Sequence, residues 1–230
     1  MREGLLDKIR SRAYWRINFR PLGEITPLNM LGCSEAVERG RVSLRGWDYP
    51  HISARQDNTS GFGPAGEYYE NWVDWQGYIE FWRMYRSTQF LHYRALWEDW
   101  DPETEGRRQP PGPVVAVTRA LYQITEIFEF AKRLYQHGLY PEGVIIKLSL
   151  EGTRGRQLWV SDPMRMPFSY PRITEAVSVG LERRLTKLQL ESDSRLASGD
   201  AVLEFFDNFG WNPAPEHVKA DQDRLFSRVW

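Results

Sequence analysis

The sequence predicts an α+β protein in which a mostly antiparallel sheet is covered on one side by long helices. Three observations lead there. Segments 14–20, 41–45 and 143–150 alternate apolar and polar residues with the period of a half-buried strand. Residues 117–135 carry one apolar stripe at helical spacing. Strand-like segments precede most helical ones and are joined by short turns, an order that suits an antiparallel sheet with helices on one face.

The first strand is YWRINFR, where Trp15, Ile17 and Phe19 alternate with Arg16, Asn18 and Arg20. Thr26 and Pro27 supply an N-cap and a first helical residue, and Gly40 ends the helix they open. RVSLR, 41–45, alternates again, with Val42 and Leu44 on one side, and GWDYPHI leaves that strand through Pro50. Residues 66–100 hold twelve aromatic side chains. Trp72, Trp75, Ile79 and Trp82 recur at three and four as on a helix, whereas FWRMY and QFLHYRAL suit strands, with a turn at 86–89. Aromatic density favours strands for the second half.

WEDWDPETEGRRQPPGP, 97–113, is rich in charge and proline and reads as an exposed connection. The whole chain reads as a single α+β domain, 1–230, with an internal division marked there. Val117, Leu121, Ile124, Phe128, Ala131 and Tyr135 then form the helical stripe, which ends near Gly138. GVIIKLSL is a strand, and RQLWV after the glycines at 152 and 155 makes a hairpin with it. Ile173, Val177, Leu181, Leu185 and Leu188 suggest a second long helix, a third ends at Phe209 and Gly210, and 215–226 add a short one.

A chain of 230 residues, 41% hydrophobic and 27% charged, can bury a substantial core. Its 30 basic and 31 acidic residues nearly cancel, so no global field draws it to nucleic acid or an anionic membrane. Cys33 is the one cysteine; it excludes an internal disulfide, fits a reducing compartment and reads as a small buried apolar residue. Apolar runs such as 114–117 fall far short of the ~20 residues of a membrane span, and MREGLLDKIRSR alternates charge where a secretory signal is apolar. The expectation is a cytoplasmic protein with no membrane segment.

GFGPAG, 61–66, matches G-x-G-x-x-G in letters, but a polar stretch precedes it, Pro64 removes an N–H, and no helix opens inside it, so it reads as a surface loop. No phosphate-binding P-loop, HExxH motif, CxxC pair or nucleophile elbow occurs, and no cofactor or metal is expected. Glu126 and Glu129 read as a hydrated helix face. An enzyme reading, a hydrolase or nuclease, needs Asp48, His51, His92, Glu98 and Asp99 to converge.

Arginine placement gives the leading expectation. With strands 14–20 and 41–45 in one sheet and their apolar sides together, Arg16, Arg20, Arg41 and Arg45 gather on the other side, where Arg83 or Arg86 can join them. Such a face, with aromatics nearby, can stack bases and hold phosphates; alternatively, it is the wet side of a sheet whose aromatics fill the core. Ten tryptophans favour an interaction surface near Trp47, Trp72 and Trp75.

RGWDYPHI, FWRMYRSTQFLHYRALWED, ITEIFEFAKRL, GRQL and FFDNFGW, in this order, resemble the region that follows Schlafen-type (AlbA-like) DNA-binding domains in bacterial proteins. The likeness runs from about Tyr14 to about Phe226; the DNA-binding domain itself has no counterpart in it, and Thr88 stands where a turn glycine is expected. The resemblance implies a bacterial, cytoplasmic accessory or sensory module and carries over no catalytic residue. The expectation is therefore a non-enzymatic binding module that recognises a protein partner or nucleic acid through Arg16, Arg20, Arg41, Arg45, Trp47, Asp48, Tyr49, His51, Arg83 and Arg86; a small-molecule ligand is left open. The alternatives are the enzyme site above and a structural subunit of a larger assembly.

Overall fold

The computed structural model describes residues 1–101 and 109–227; the middle of the 97–113 connection lies outside the described residues. The strands are β1 (Tyr14–Pro21), β2 (Ser60–Ala65), β3 (Tyr68–Trp75), β4 (Tyr78–Tyr85), β5 (Phe90–Ala95), β6 (Val114–Ala116), β7 (Gly143–Glu151), β8 (Gln157–Trp159) and β9 (Ser178–Thr186). The helices are α1 (Leu5–Arg10), α2 (Met30–Gly40), α3 (Val117–Gln136), α4 (Lys187–Ser192), α5 (Ser194–Asp207) and α6 (Pro215–Ser227).

β1 holds the middle of a seven-stranded antiparallel sheet of order β2-β3-β4-β5-β1-β7-β9. One sheet thus takes strands from both sides of the 97–113 connection. The alternation read in β1 sets its two faces: Trp15, Ile17 and Phe19 are buried under the helices, and Arg16 and Arg20 are exposed on the far face. Register carries this division across the sheet, since Phe19 lies opposite Phe90 and Ile146, and Ile17 opposite His92 and Leu148. The class is α+β.

α3 is the central helix of the covering layer and packs against α2, α5 and α6. Phe130 on α3 meets Phe19 at 5.9 Å and Phe90 at 4.9 Å, and Phe205 on α5 meets Trp15 at 5.3 Å, so rings from both layers interdigitate. Cys33 is buried in this core from α2. α1 is the exception to one-sided covering: Leu5 and Ile9 pack on the far face against Ile79, Phe81, Tyr93 and Ala95.

Several expectations change. The helix after Pro27 begins at Met30, because Asn29 is the residue whose side chain accepts from a backbone N–H, that of Gly32 at 2.7 Å. Segment 41–45 is not a strand; only Val42 and Tyr49 exchange backbone hydrogen bonds. GFGPAG is mostly the outermost strand β2, and Gly61 there lies under the Trp72 ring, too close to admit a Cβ. β8 pairs in parallel with β6, and β7 pairs with β9 instead of forming a hairpin with β8. Residues 178–186 are strand β9, not helix. Val177, Leu181 and Leu185 are spaced by four, a multiple of both two and nearly 3.6, so the spacing fits either period; pairing along β7 decides for the strand. Thr88 adopts φ 59°, the left-handed turn conformation that glycine favours.

β7 and β9 also meet at a tight point. Gly143 has φ 119°, and a Cβ there would lie 2.1 Å from the Leu185 carbonyl oxygen. Gly143→Ala should therefore lower unfolding free energy by about 2 kcal/mol or more, measured by urea denaturation; a variant as stable as the parent would show that the strands can part without cost.

Candidate functional site

Segment 41–52 crosses the boundary between the sheet and α3 without regular structure, and its side chains fix it there. Arg45 donates through Nε to Glu126 of α3 at 2.8 Å and makes a second, shorter bond to the other carboxylate oxygen. Trp47 Nε1 donates to Glu80 of β4 at 2.8 Å, and the His51 carbonyl accepts from Trp82 Nε1 at 2.7 Å. Tyr49 is fully buried, its hydroxyl 3.3 Å from His92 Nδ1. His92 Nε2 lies 2.7 Å from Glu80.

The inward register of β4 and β5 puts Glu80, His92 and Arg94 in one enclosed layer. Burial favours the neutral Glu80 carboxyl, but the Arg94 charge and the bonds from His92 and Trp47 outweigh it and hold Glu80 down at about 2. Burial lowers His92, against the pull of Glu80. A neutral imidazole that donates from Nε2 to Glu80 and accepts at Nδ1 from the Tyr49 hydroxyl satisfies every group in the chain.

Beside this layer lies a cavity of about 360 Å³, lined by Arg45, Trp47, Tyr78, Arg94, Trp97, Glu98, Arg119 and Gln123 together with Trp15. One wall is a ladder of rings. Trp47 is sandwiched between His51 at 3.9 Å and Tyr78 at 3.7 Å, both stacked. Tyr78 and Trp97 are 4.2 Å apart with planes at 51°, a wedge instead of a closed stack. The Arg119 guanidinium lies 5.3 Å from the Trp97 ring centre. Glu98 is buried and accepts from the Ala116 N–H at 3.0 Å; burial pushes its carboxyl up, with the Arg119 charge opposing. A larger groove of about 880 Å³ runs along 157–171; its Arg165 pairs with Asp221 as Arg45 pairs with Glu126 in the smaller cavity, but among the described residues it holds no second arginine.

The residues singled out from sequence divide between places. Arg45 and Trp47 line the cavity, while Tyr49 and His51 support its ring wall. Asp48 and Arg41 pair with each other at 3.4 Å outside it. Arg16 and Arg20 stay on the far face of the sheet, as does Arg83, which pairs with Glu70 at 3.1 Å over the Tyr68 ring. Arg86 reaches the Leu28 carbonyl at the turn after β4. The four arginines therefore do not share one flank, because 41–45 is no strand and Glu126 draws Arg45 inward. Nor do the three indoles form one patch: Trp72 packs in the α1 cluster, and Trp75 is exposed at the strand end.

The proposed enzyme residues also find separate partners. Asp48 is with Arg41 and His92 with Glu80; Glu98 is with the Ala116 N–H, and Asp99 takes Arg156 at 2.8 Å and the Ala13 N–H at 3.0 Å. Among the described residues no group of three or more His, Cys, Asp or Glu side chains could hold a metal ion.

No family model, curated protein or solved structure matches this chain. Sequence reasoning missed Tyr78, Arg94, Trp97, Arg119 and Gln123, and it misplaced Glu126, which is fully buried. The available signal was parity: Arg94 shares its strand face with Phe90 and His92, so a charge stands where the core should be.

Two outcomes follow from these contacts. Arg45→Met leaves a buried carboxylate without its partner and should cost about 3–5 kcal/mol, whereas Arg45→Met with Glu126→Leu should recover most of that in denaturant melts. Glu98, with its folded value raised, contributes stability that is complete below the unfolded carboxyl range and is lost as pH rises through the raised value. Glu98→Gln should therefore match the parent at pH ~4 and exceed it at pH ~7; a parent that is the more stable protein at the higher pH would refute this.

Proposed function

We propose that this chain is a non-enzymatic binding module of a bacterial cytoplasmic system whose ligand is nucleic acid with an unpaired base, admitted to the cavity between β4, α3 and segment 41–52. The supporting observation is the joint placement of the Tyr78–Trp97 wedge with Arg45, Arg94 and Arg119 around one space. Rings pack against bases and guanidinium groups take oxygens of base or phosphate; Trp47 and Tyr78 are covered on both faces by their neighbours in the ladder, so the contact falls to Trp97 and to the ring edges. At about 360 Å³ the cavity is at the small end of ligand pockets, which run from roughly 300 to 1,000 Å³. That size suits one nucleotide and excludes a duplex.

Holding is favoured over group transfer, since among the lining residues Glu98 is the one carboxylate and there is no serine, cysteine or histidine. The resemblance to regions beside DNA-binding domains agrees in kind. A protein partner is the second reading, and another place favours it: Met164, Met166 and Tyr170, between β8 and β9, are 91%, 90% and 65% exposed. Loss of a co-purifying protein on Met164→Ser with Met166→Ser tests it.

Single-stranded oligonucleotides should bind the full chain and duplexes of the same sequence should not. With at most three arginines on the ligand, the logarithmic salt dependence should be shallow, no steeper than about −2. Trp97→Ala should weaken binding by about 1–3 kcal/mol, read by fluorescence anisotropy. No single-strand binding at low salt ends this reading.

A further inference from the structure

One residue of the cavity lining carries a donor that no described group uses. Gln123 on α3 is buried, and its amide oxygen accepts from Arg94 at 2.5 Å. A guanidinium only donates, so this contact fixes which end of the amide is oxygen and which is nitrogen. The nitrogen, on a residue that lines the cavity, is shielded and has no hydrogen-bond partner among the described residues. A buried N–H left in this state carries a penalty that a ligand acceptor would relieve.

Most of the charged groups around it share its polarity, Glu98 and the Tyr78 hydroxyl being the acceptors in the lining. Arg45, Arg94 and Arg119 can only donate, and Glu98 already gives one oxygen to the Ala116 N–H. A ring edge bearing an oxygen would find complementary N–H groups here, whereas an edge bearing an amine would set donor against donor. Resting on the reading that an unpaired base enters the cavity, we propose that Gln123 is its specificity-determining donor. The base it accepts carries an oxygen, as hypoxanthine, guanine, uracil and thymine do, at the edge position where adenine and cytosine carry an amine.

Calorimetry with the full chain tests this through two pairs that differ at that edge alone or nearly so, inosine against adenosine monophosphate and uridine against cytidine monophosphate, with inorganic phosphate as a third arm. The oxygen-bearing member of each pair should bind about tenfold tighter, and phosphate alone should bind more weakly than either. Gln123→Glu keeps an oxygen for Arg94 and replaces the donor by an acceptor, so it should reverse the order within each pair. Gln123→Leu should abolish the preference. A reversal is a result that a merely structural glutamine would not give, and the wild-type comparison needs no variant to fold. Equal binding of all four nucleotides, phosphate binding as tight as nucleotide binding, or an unchanged order in both variants overturns the assignment of Gln123 while nucleotide binding stands. If neither nucleotides nor single-stranded oligonucleotides bind, the base-binding reading falls and this assignment falls with it.

Discussion

A carboxylate with no access to water, Glu80 on the helix-facing side of β4, is the constraint around which the rest is arranged. A charge in that position must be answered by donors and by an opposite charge. β5 supplies His92 as a donor and Arg94 as the charge, and segment 41–52 supplies the Trp47 indole N–H. Each answering group then orders something else. His92 positions Tyr49, Arg94 positions Gln123, and Trp47 aligns Tyr78 and His51 as a stack. A segment with no strand or helix of its own is thereby tied to the sheet and to α3, and the cavity is built on those ties. Replacing such a network by apolar side chains is often harmless to stability, so what it supplies here is a fixed geometry.

The far face explains why the proposed site lies inside. Its charges largely answer one another: Arg83 meets Glu70 at 3.1 Å, and Lys147 meets Glu182 at 2.7 Å. α1 covers its apolar centre. Arg16, Arg20 and Arg184 remain exposed there, but they are spread over three residue rows of a face that also carries Glu151 and Glu182 and make no concentrated field. The inner cavity differs in kind, because three guanidinium groups, two of them balanced by Glu126 and Glu80, line one confined space beside aromatic rings.

How much was legible follows from how many elements each residue answers to. β1, α3 and β7 could be read because their patterns have one period and one neighbouring layer. β9 could not, since a spacing of four satisfies strand and helix alike and only β7 decides between them. Arg41 to Arg45 alternates like a strand, yet the alternation reflects Val42 and Leu44 reaching the core from an irregular segment. Glu126 looked hydrated because helical periodicity assumes one buried stripe; α3 is enclosed by the sheet, α2, α5 and α6, so residues off the stripe are buried too. In the site, Arg45 and Trp47 were readable as charge beside aromatic ring in one short run. Arg94, Arg119 and Gln123 come from distant elements, and their meeting is a property of the register, which no local pattern encodes.

β2, at the sheet's outer border, has its own consequence for handling the protein. Pro64 offers no N–H to a newcomer, and the strand is short, with glycines at 61 and 63 that give a docking chain no side chains to grip. Crowded copies therefore meet a blunt border on that flank, and aggregation by extending the ladder from molecule to molecule is discouraged without any charge being spent on repulsion.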